Sequence, residues 1–217
     1  MTGIDHCDWE HVDCNSDGWV TELGLDINQL TGPIPQSIGN MVNLESLLLY
    51  GNQLTGPIPQ SIGFPSNLRR LHLNSNQLTG TIPTPLAMNL ELLTLNNNEL
   101  TGPIPQTIVN MGSLILLSLN YNELTGPIPQ TIGDLANLRA LFLNNNQLTG
   151  PIPQTIGNLV NLEQLNLNDN QLTGSIPETI RNLVNLEQLH LRRNKLDSTP
   201  EWLTTFCESR TKLSCWL

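Results

Sequence analysis

The chain has 217 residues, of which 9 are lysine or arginine and 19 are aspartate or glutamate, so its formal net charge is −10 at pH 7. That charge argues against non-specific binding to nucleic acid, which requires a basic surface. The sequence has no run of about 18 or more apolar residues, so no membrane span is predicted. Its first residues lack the basic and apolar segments of a signal peptide.

The charge is distributed unevenly along the chain. Residues 1–26 contain seven acidic residues and no lysine or arginine, whereas residues 181–217 contain six basic and four acidic residues. Two interpretations stay open. Both ends are simply solvated, or their charges support end-to-end association of a chain that is otherwise a monomer.

The first predicted element is an N-terminal cap over residues 1–19. It contains Cys7 and Cys14, with Trp9 and His11 between them. The spacing C-x3-H-x2-C also permits a zinc site, but it supplies only three ligands. His6 is a poor fourth ligand because it directly precedes Cys7. We therefore predict no metal site and no cofactor.

Residues 20–200 are predicted to form eight repeats of the unit L-x-x-L-x-L-x-x-N-x-L-T-G-x-I-P. The asparagine of the unit recurs every 24 residues, with a single step of 22 residues before the fourth repeat. A fixed period of this length predicts a solenoid in which each repeat forms one coil. One coil cannot bury its own apolar side, so stacked neighbours bury it. The eight asparagines are Asn28, Asn52, Asn76, Asn98, Asn122, Asn146, Asn170 and Asn194.

Each part of the repeat predicts one local structure. The L-x-L pair alternates with period two, which is typical of a short strand, and successive coils would pair these strands into a parallel sheet. The asparagine amide then turns the chain and satisfies buried backbone groups. Glycine permits a tight turn, and proline ends strand pairing. The segment after it places Ile156 and Leu159 at an i, i+3 spacing, which favours a short 3-10 helix.

The L-T-G-x-I-P tag and the 24-residue period resemble plant-type extracellular leucine-rich repeat proteins, which include receptor-kinase ectodomains, receptor-like proteins and polygalacturonase-inhibiting proteins. The resemblance covers about residues 20–200. It implies an α/β-type superhelix with a parallel concave sheet, a second short strand at T-G-x-I and short helical turns on the convex side. It also implies a secreted or extracellular protein.

The segment from Cys7 to Cys14 resembles the family's C-x-W-x-G-V-x-C cap motif, with His11 where the family has glycine. The resemblance implies a Cys7–Cys14 disulfide. A C-terminal cap is predicted over residues 201–217, where Trp202, Phe206 and Trp216 would close the last coil. Four cysteines allow three pairings. Two of the three would join opposite ends of a rod, so Cys207–Cys215 is the second disulfide that we predict, and two disulfides indicate an oxidising compartment.

No motif in the sequence indicates catalysis. It contains no P-loop, no H-E-x-x-H and no G-x-S-x-G. His72 and His190 occupy the same repeat position but lie five coils apart. At about 4.8 Å per coil they cannot act on one atom. We therefore expect a binding protein and no enzyme.

The outward positions of the concave strands are the expected ligand surface. The outward positions of coils four to six carry apolar side chains, and contiguous exposed apolar residues often mark a partner site. Arginine and aromatic residues around them are typical of a binding hot spot. The alternative is that strand twist or self-contact buries some of them. We call the apolar residues Leu92, Ile115, Leu116, Tyr121, Ala140 and Phe142 the central patch. The candidate ligand-binding residues are these six together with Arg69, Arg70, His72 and Arg139.

Ranks of equivalent polar side chains support a second hypothesis. Regular ranks would match a repeating lattice, and some plant-type leucine-rich repeat proteins are antifreeze proteins, so ice binding is an alternative function. A near-perfect repeat also produces ranks without any function. The ranks are an exposed ladder of Asn74, Asn96, Asn120, Asn144 and Asn168 and a convex column of Thr107, Thr131, Thr155 and Thr179.

The leading hypothesis is a non-catalytic scaffold that binds a protein, peptide or glycan through its concave face. A narrower version is inhibition of a secreted wall-degrading enzyme, which the resemblance to polygalacturonase inhibitors implies. The apolar concave positions weaken this version, because those relatives carry charged and polar residues there. Self-assembly through the charged ends is a third hypothesis.

Overall fold

The computed structural model describes residues 6–217. Residues 1–5, where the predicted N-terminal cap begins and where a signal peptide would start, lie outside the described residues. None of the helices in the described part of the chain has the length and hydropathy needed to cross a bilayer.

Most coils contain two short strands. In residues 6–217 the strands are β1 (Val12–Cys14), β2 (Val20–Gly24), β3 (Thr31–Pro33), β4 (Ser46–Leu48), β5 (Gln53–Pro57), β6 (Arg70–His72), β7 (Gln77–Thr81), β8 (Leu92–Thr94), β9 (Glu99–Pro103), β10 (Leu116–Ser118), β11 (Glu123–Pro127), β12 (Ala140–Phe142), β13 (Gln147–Pro151), β14 (Gln164–Asn166), β15 (Gln171–Gly174), β16 (Gln188–His190), β17 (Lys195–Leu196) and β18 (Ser214–Trp216).

These strands form two sheets that run the length of the solenoid. The concave sheet has the order β1-β2-β4-β6-β8-β10-β12-β14-β16-β18, and the second sheet has the order β17-β15-β13-β11-β9-β7-β5-β3. The predicted leucine-rich repeat solenoid with a parallel concave sheet is therefore confirmed. The antiparallel pairing of β1 with β2 is the exception, and it lies in the N-terminal cap.

The second strand lies earlier in the repeat than the resemblance implies. It spans x-L-T-G-P, as in β13, and ends before the isoleucine. The strand begins at Gln147, and its leucine, Leu148, is fully buried and donates its N–H to Asn170 Oδ1 at 3.0 Å. Pro151 ends the strand because it has no N–H to donate.

The convex side carries the short 3-10 helices that the sequence predicts. Coil three, which is two residues shorter than the coils that follow it, has a bend at Thr84–Pro85 and no helix on this side. The eight-residue α1 (Glu201–Glu208) belongs to the C-terminal cap. The 3-10 helices are His6–Asp8, Gln36–Asn40, Gln60–Gly63, Gln106–Asn110, Gln130–Asp134, Gln154–Asn158 and Glu178–Asn182.

Leucine and isoleucine fill a single continuous core from Ile34 to Leu203. The repeated asparagine holds the turn above it. Asn122 Nδ2 donates to the carbonyl oxygens of Leu95 at 3.0 Å and Leu119 at 3.1 Å, and Asn122 Oδ1 accepts from the N–H of Leu100 at 3.0 Å. The predicted hydrogen-bonded asparagine ladder is thus present, and it joins each coil to its predecessor.

A second asparagine ladder, which the sequence analysis missed, runs along the side where the chain returns to the concave sheet. Asn137 Nδ2 donates to the carbonyl oxygen of Gly112 at 2.8 Å, and Asn161 donates to Ala136 at 2.9 Å. Asn185 makes the same bond at 2.9 Å. Two ladders together explain why asparagine is so abundant.

Both ends carry a disulfide. Cys7 is bonded to Cys14, and Cys207 to Cys215. His11, which replaces the family's glycine, has a φ of 69°, in the left-handed region that favours glycine. This backbone conformation explains why the family motif has glycine at that position.

The C-terminal cap differs from the expectation in one residue. Trp202 and Phe206 pack against the core, as predicted, but Trp216 is 47% exposed. Strand β18 continues the concave sheet, and Cys215 takes the inward position that leucine holds in β16. Side chains alternate along a strand, so Trp216 points to the concave surface instead of closing the core.

Candidate functional site

The concave sheet brings the middle of the predicted central patch together. Leu92, Leu116 and Ala140 are directly paired on neighbouring strands β8, β10 and β12. All three are half-buried, as is Phe142 in the next row of β12. Ile115 is 38% exposed and lies just before β10. Leu92, Leu116, Ala140 and Phe142 therefore share the outward face of the sheet across three coils, whereas Ile115 lines a shallow hollow beside it with Glu91 and Arg139.

Tyr121 does not join this surface. It is 51% exposed, but it lies five residues beyond Leu116, on the opposite edge of the concave face. At about 3.3 Å per residue that separation is roughly 15 Å. Its φ of 54° places it in the tight turn after the strand, beyond the end of β10.

The arginines that were predicted to rim the patch are held in ion pairs. Arg69 Nη1 lies 2.7 Å from Glu91 Oε1, and Arg139 Nη1 lies 3.1 Å from Glu163 Oε1. Each pair joins one coil to the next. Such exposed pairs add about 0–1 kcal/mol to stability, but they reduce the positive charge that these side chains present to a ligand.

Arg70 reaches further, across two coils. Its Nη2 lies 3.0 Å from Glu22 Oε2, and Ser46, on the strand between them, is fully buried. Beside it, burial and then the charge of Arg70 lower the pKa of His72, so His72 is neutral at pH 7. The N-terminal part of the concave face is therefore occupied by its own polar contacts.

A hollow of about 330 Å³ lies at the C-terminal end of the concave face, and the sequence analysis did not identify it. His190 and Trp216 are paired in register on β16 and β18, and their rings meet edge to face at 5.8 Å. We call this site the C-terminal hollow. It is lined by Asn168, Asp169, His190, Arg192, Arg193 and Trp216.

The two arginines of the C-terminal hollow differ in their partners. Arg193 Nη1 lies 3.1 Å from Asp169 Oδ1, and the Asn168 amide also donates to Asp169. The bond from Asn168 and then Arg193 lower the pKa of Asp169. Arg192 instead stacks over the Trp216 ring at 4.7 Å, and within residues 6–217 no carboxylate lies within 4 Å of it.

Burial and the neighbouring Arg192 lower the pKa of His190, which is therefore neutral at pH 7 and leaves Arg192 as the cation available to a ligand. One sequence signal points to this site. The final S-C-W alternates like the Q-L-H of β16, which places Trp216 in the outward column that contains His190.

The predicted exposed asparagine ladder is wrong in its exposure. Asn144 is 5% exposed, and the other four members are half-buried. Short hydroxyl side chains on the adjacent strand reach them. Thr94 Oγ1 donates to Asn74 Oδ1 at 2.9 Å, and Ser118 Oγ donates to Asn96 Oδ1 at 3.1 Å. Asn74, Asn96 and Asn120 thus accept hydrogen bonds from the strands, and the amides of Asn144 and Asn168 donate to the residue that follows each.

The convex threonine column is also bonded to the backbone. Thr155 Oγ1 donates to a carbonyl oxygen of the preceding coil at 2.6 Å, and Thr131 and Thr179 do the same at 3.1 Å and 2.7 Å. Thr107 is exposed. In the N-terminal cap, the disulfide uses both thiols that the zinc alternative requires.

Two stacked parallel sheets, a 24-residue coil, an asparagine ladder and a disulfide at each end define a leucine-rich repeat solenoid. Three family models agree, described as "Leucine rich repeat" over residues 88–148, "Leucine Rich repeats (2 copies)" over 160–204, and "Leucine Rich Repeat" over 43–64 and 67–88. The chain belongs to the leucine-rich repeat family, in its plant-type extracellular class.

Solved structures support that class. The ectodomain of the plant membrane receptor kinase GASSHO1/SCHENGEN3 from Arabidopsis thaliana, in complex with CASPARIAN STRIP INTEGRITY FACTOR 2, is 32% identical with a TM-score of 0.82 over 99% of this chain and 32% of that one. The Arabidopsis receptor kinase HAESA, in complex with the peptide hormone IDA and a co-receptor, is 32% identical with a TM-score of 0.84 over 95% of this chain and 36% of that one. This chain thus spans about a third of those ectodomains.

A third similar structure has a comparable length. A plant ice-binding protein is 27% identical with a TM-score of 0.69, and the match covers 100% of this chain and 88% of that one. The chain is therefore similar both to part of plant receptor-kinase ectodomains and to nearly the whole of a plant ice-binding protein.

Proposed function

We propose that the protein is an extracellular, non-catalytic scaffold that binds an extended peptide along its concave face. The observation that carries this proposal is Arg192, a concave cation stacked on an exposed tryptophan without an acidic partner in the described chain. It faces the same surface as the apolar central patch. The peptide complexes solved for similar ectodomains support this class of ligand.

The geometry suggests the pattern of the ligand. The guanidinium of Arg192 lies over the ring of Trp216 on β18, which is three strand steps from Phe142 on β12, or about 14 Å at roughly 4.8 Å per step. An extended peptide covers that distance in about four or five residues. We therefore propose a peptide with an aromatic or leucine side chain on Phe142 and a carboxylate on Arg192, about four to five residues further on.

Selection from a peptide display library, followed by fluorescence anisotropy with the selected synthetic peptides, tests this proposal. We expect Arg192→Ala to weaken binding at least about tenfold, which is the loss of one hot-spot contact. Arg139→Ala is the matched control, since Arg139 is already paired with Glu163, and it should change binding little. Equal losses in both variants, or peptides selected without a carboxylate, would contradict the proposal.

Ice binding stays the second candidate, because the match to the plant ice-binding protein covers nearly the whole of both chains. The engaged amides and hydroxyls of the two predicted ranks weaken it. Thermal hysteresis of the purified protein decides the matter, and ordinary ice growth at millimolar protein eliminates it. The narrower inhibitor hypothesis predicts that the protein slows a secreted polygalacturonase, which a direct activity assay checks.

A further inference from the structure

A second hollow, of about 320 Å³, lies at the opposite end of the solenoid, on the side where the chain returns to the concave sheet. Its volume is at the lower end of the range for small-ligand sites. We call it the N-terminal hollow, and the lining residues that matter here are Asp17, Trp19, Asn40, Val42 and Asn43.

The N-terminal hollow contains a rigidly placed aromatic surface. Trp19 is 59% exposed, although tryptophan is a large apolar side chain. Its backbone is fixed, because its N–H donates to Asn15 Oδ1 at 3.0 Å and its carbonyl oxygen accepts from the Asn15 N–H at 2.9 Å. Val42, 58% exposed, lines the same hollow. A flat ring is thus held open to solvent.

Two amides beside this ring are not used by the fold. Asn43 occupies the second-ladder position at which Asn137, Asn161 and Asn185 bond to the preceding coil. Within residues 6–217 the side chains of Asn43 and Asn40 make no hydrogen bond. Both residues line the hollow, so their amides are available to a ligand there. Each amide offers two donors and an acceptor to a ligand.

From these features we infer that the N-terminal hollow binds a hexose unit of a neutral or amino-sugar glycan. A sugar ring has an apolar face that packs on an aromatic ring, and hydroxyl groups around its edge that pair with amides and a carboxylate. Trp19 supplies the ring, Asn40 and Asn43 the amides, and Asp17 the carboxylate. This site is separate from the proposed peptide site, because it lies at the other end of the chain.

The surrounding charge selects among glycans. Residues 6–68 contain seven acidic residues and no lysine or arginine. A glycan of uronic acids would be repelled by this field, whereas neutral sugars and amino sugars would not. We therefore expect the N-terminal hollow to bind polymers of glucose or glucosamine and not to bind polygalacturonate.

Isothermal titration calorimetry with three probes tests the inference: hexasaccharides of glucose, of N-acetylglucosamine and of galacturonate. We expect saturable binding of at least one of the first two and none of the galacturonate probe. Trp19→Ala should weaken binding at least about tenfold. Trp9→Ala is the matched control, because Trp9 is also exposed, at 56%, but does not line the hollow.

A second pair of variants distinguishes loss of the binding site from misfolding of the N-terminal cap. Asn43→Ala should weaken binding, whereas Asn67→Ala, one coil further along in the same column, should not. Binding of none of the probes to the wild-type protein overturns the inference, and so does undiminished binding by a folded Trp19→Ala variant or a preference for galacturonate. Arg192→Ala should leave glycan binding intact, so this test and the peptide test fail independently.

Discussion

The asparagine ladder provides the most quantitative prediction. Asn122 is 9% exposed, and its shortest amide bonds are to the carbonyl oxygens of Leu95 and Leu119 and to the N–H of Leu100. Substitution by alanine leaves the Leu100 N–H without this acceptor, whereas the two carbonyl oxygens keep the bonds that they accept from Asn98 and Asn146. The buried N–H costs about 1–3 kcal/mol and each lost bond to a carbonyl about 0.5–1.5 kcal/mol, so we expect Asn122→Ala to lower the free energy of unfolding by about 2–6 kcal/mol.

Asn137→Ala is the matched control within the same chain. Asn137 belongs to the second ladder, is exposed, and makes one backbone bond, to Gly112 at 2.8 Å. Loss of a single accessible hydrogen bond costs about 0.5–1.5 kcal/mol. Both variants replace an asparagine by alanine, so the difference between their losses of unfolding free energy reflects the burial and the number of hydrogen bonds of the two side chains.

Urea unfolding followed by circular dichroism measures both losses. With a slope of about 3 kcal/mol per molar, the midpoint should fall by about 0.7–2 M for Asn122→Ala and by less than about 0.5 M for Asn137→Ala. Equal shifts for the two variants would refute the reasoning, because they would show that ladder burial does not determine stability.

Three further predictions follow from other parts of the molecule. Gly133→Ala would place a Cβ 2.2 Å from a backbone oxygen of the next coil, so the thermal midpoint should fall by several degrees. Gly112→Ala is the control, because no atom lies within 4 Å of its Cβ, and it should leave the midpoint unchanged. Burial lowers the pKa of His72 below its ordinary 6.5. The stabilising contribution of the neutral ring is therefore present above pH 6.5 and is lost as the pH falls below that value. His72→Asn should flatten this part of the plot of unfolding free energy against pH, measured by urea unfolding. Replacing Cys207 and Cys215 by serine removes the disulfide between α1 and β18. It should destabilise the C-terminal cap by about 2–3 kcal/mol in urea unfolding and weaken peptide binding at the C-terminal hollow in the anisotropy assay.

Periodicity made the architecture predictable. The L-x-L pair, the asparagine and the proline each impose a local structure, and eight repetitions leave a single way to stack them. The second sheet was less predictable, because its strands pair only with the equivalent segments of neighbouring coils, as β13 pairs with β11 and β15. The second asparagine ladder was missed because its partner is a carbonyl 25 residues earlier, such as Gly112 for Asn137.

Exposure and pairing of side chains were harder to predict than the fold. The rank from Asn74 to Asn168 has the spacing of an exposed ladder, but Thr94 and Ser118 on the neighbouring strands bond to it. A sequence column shows which residues are aligned. It does not show whether a neighbour in the adjacent column is within hydrogen-bonding distance, because that depends on rotamers and sheet twist.

The arginines show how this distinction moves the candidate site. By sequence, Arg69, Arg70 and Arg139 surround the central patch and look like its charged rim, but each is neutralised by a glutamate one or two coils away. A ligand carboxylate there would have to compete with an existing partner, so the net gain from binding would be small. Arg192 has an aromatic ring beneath it and no such competitor among the described residues. Apolar contact at coils four to six and charge recognition at coil eight are therefore separated along the face, and a ligand that uses both must be extended.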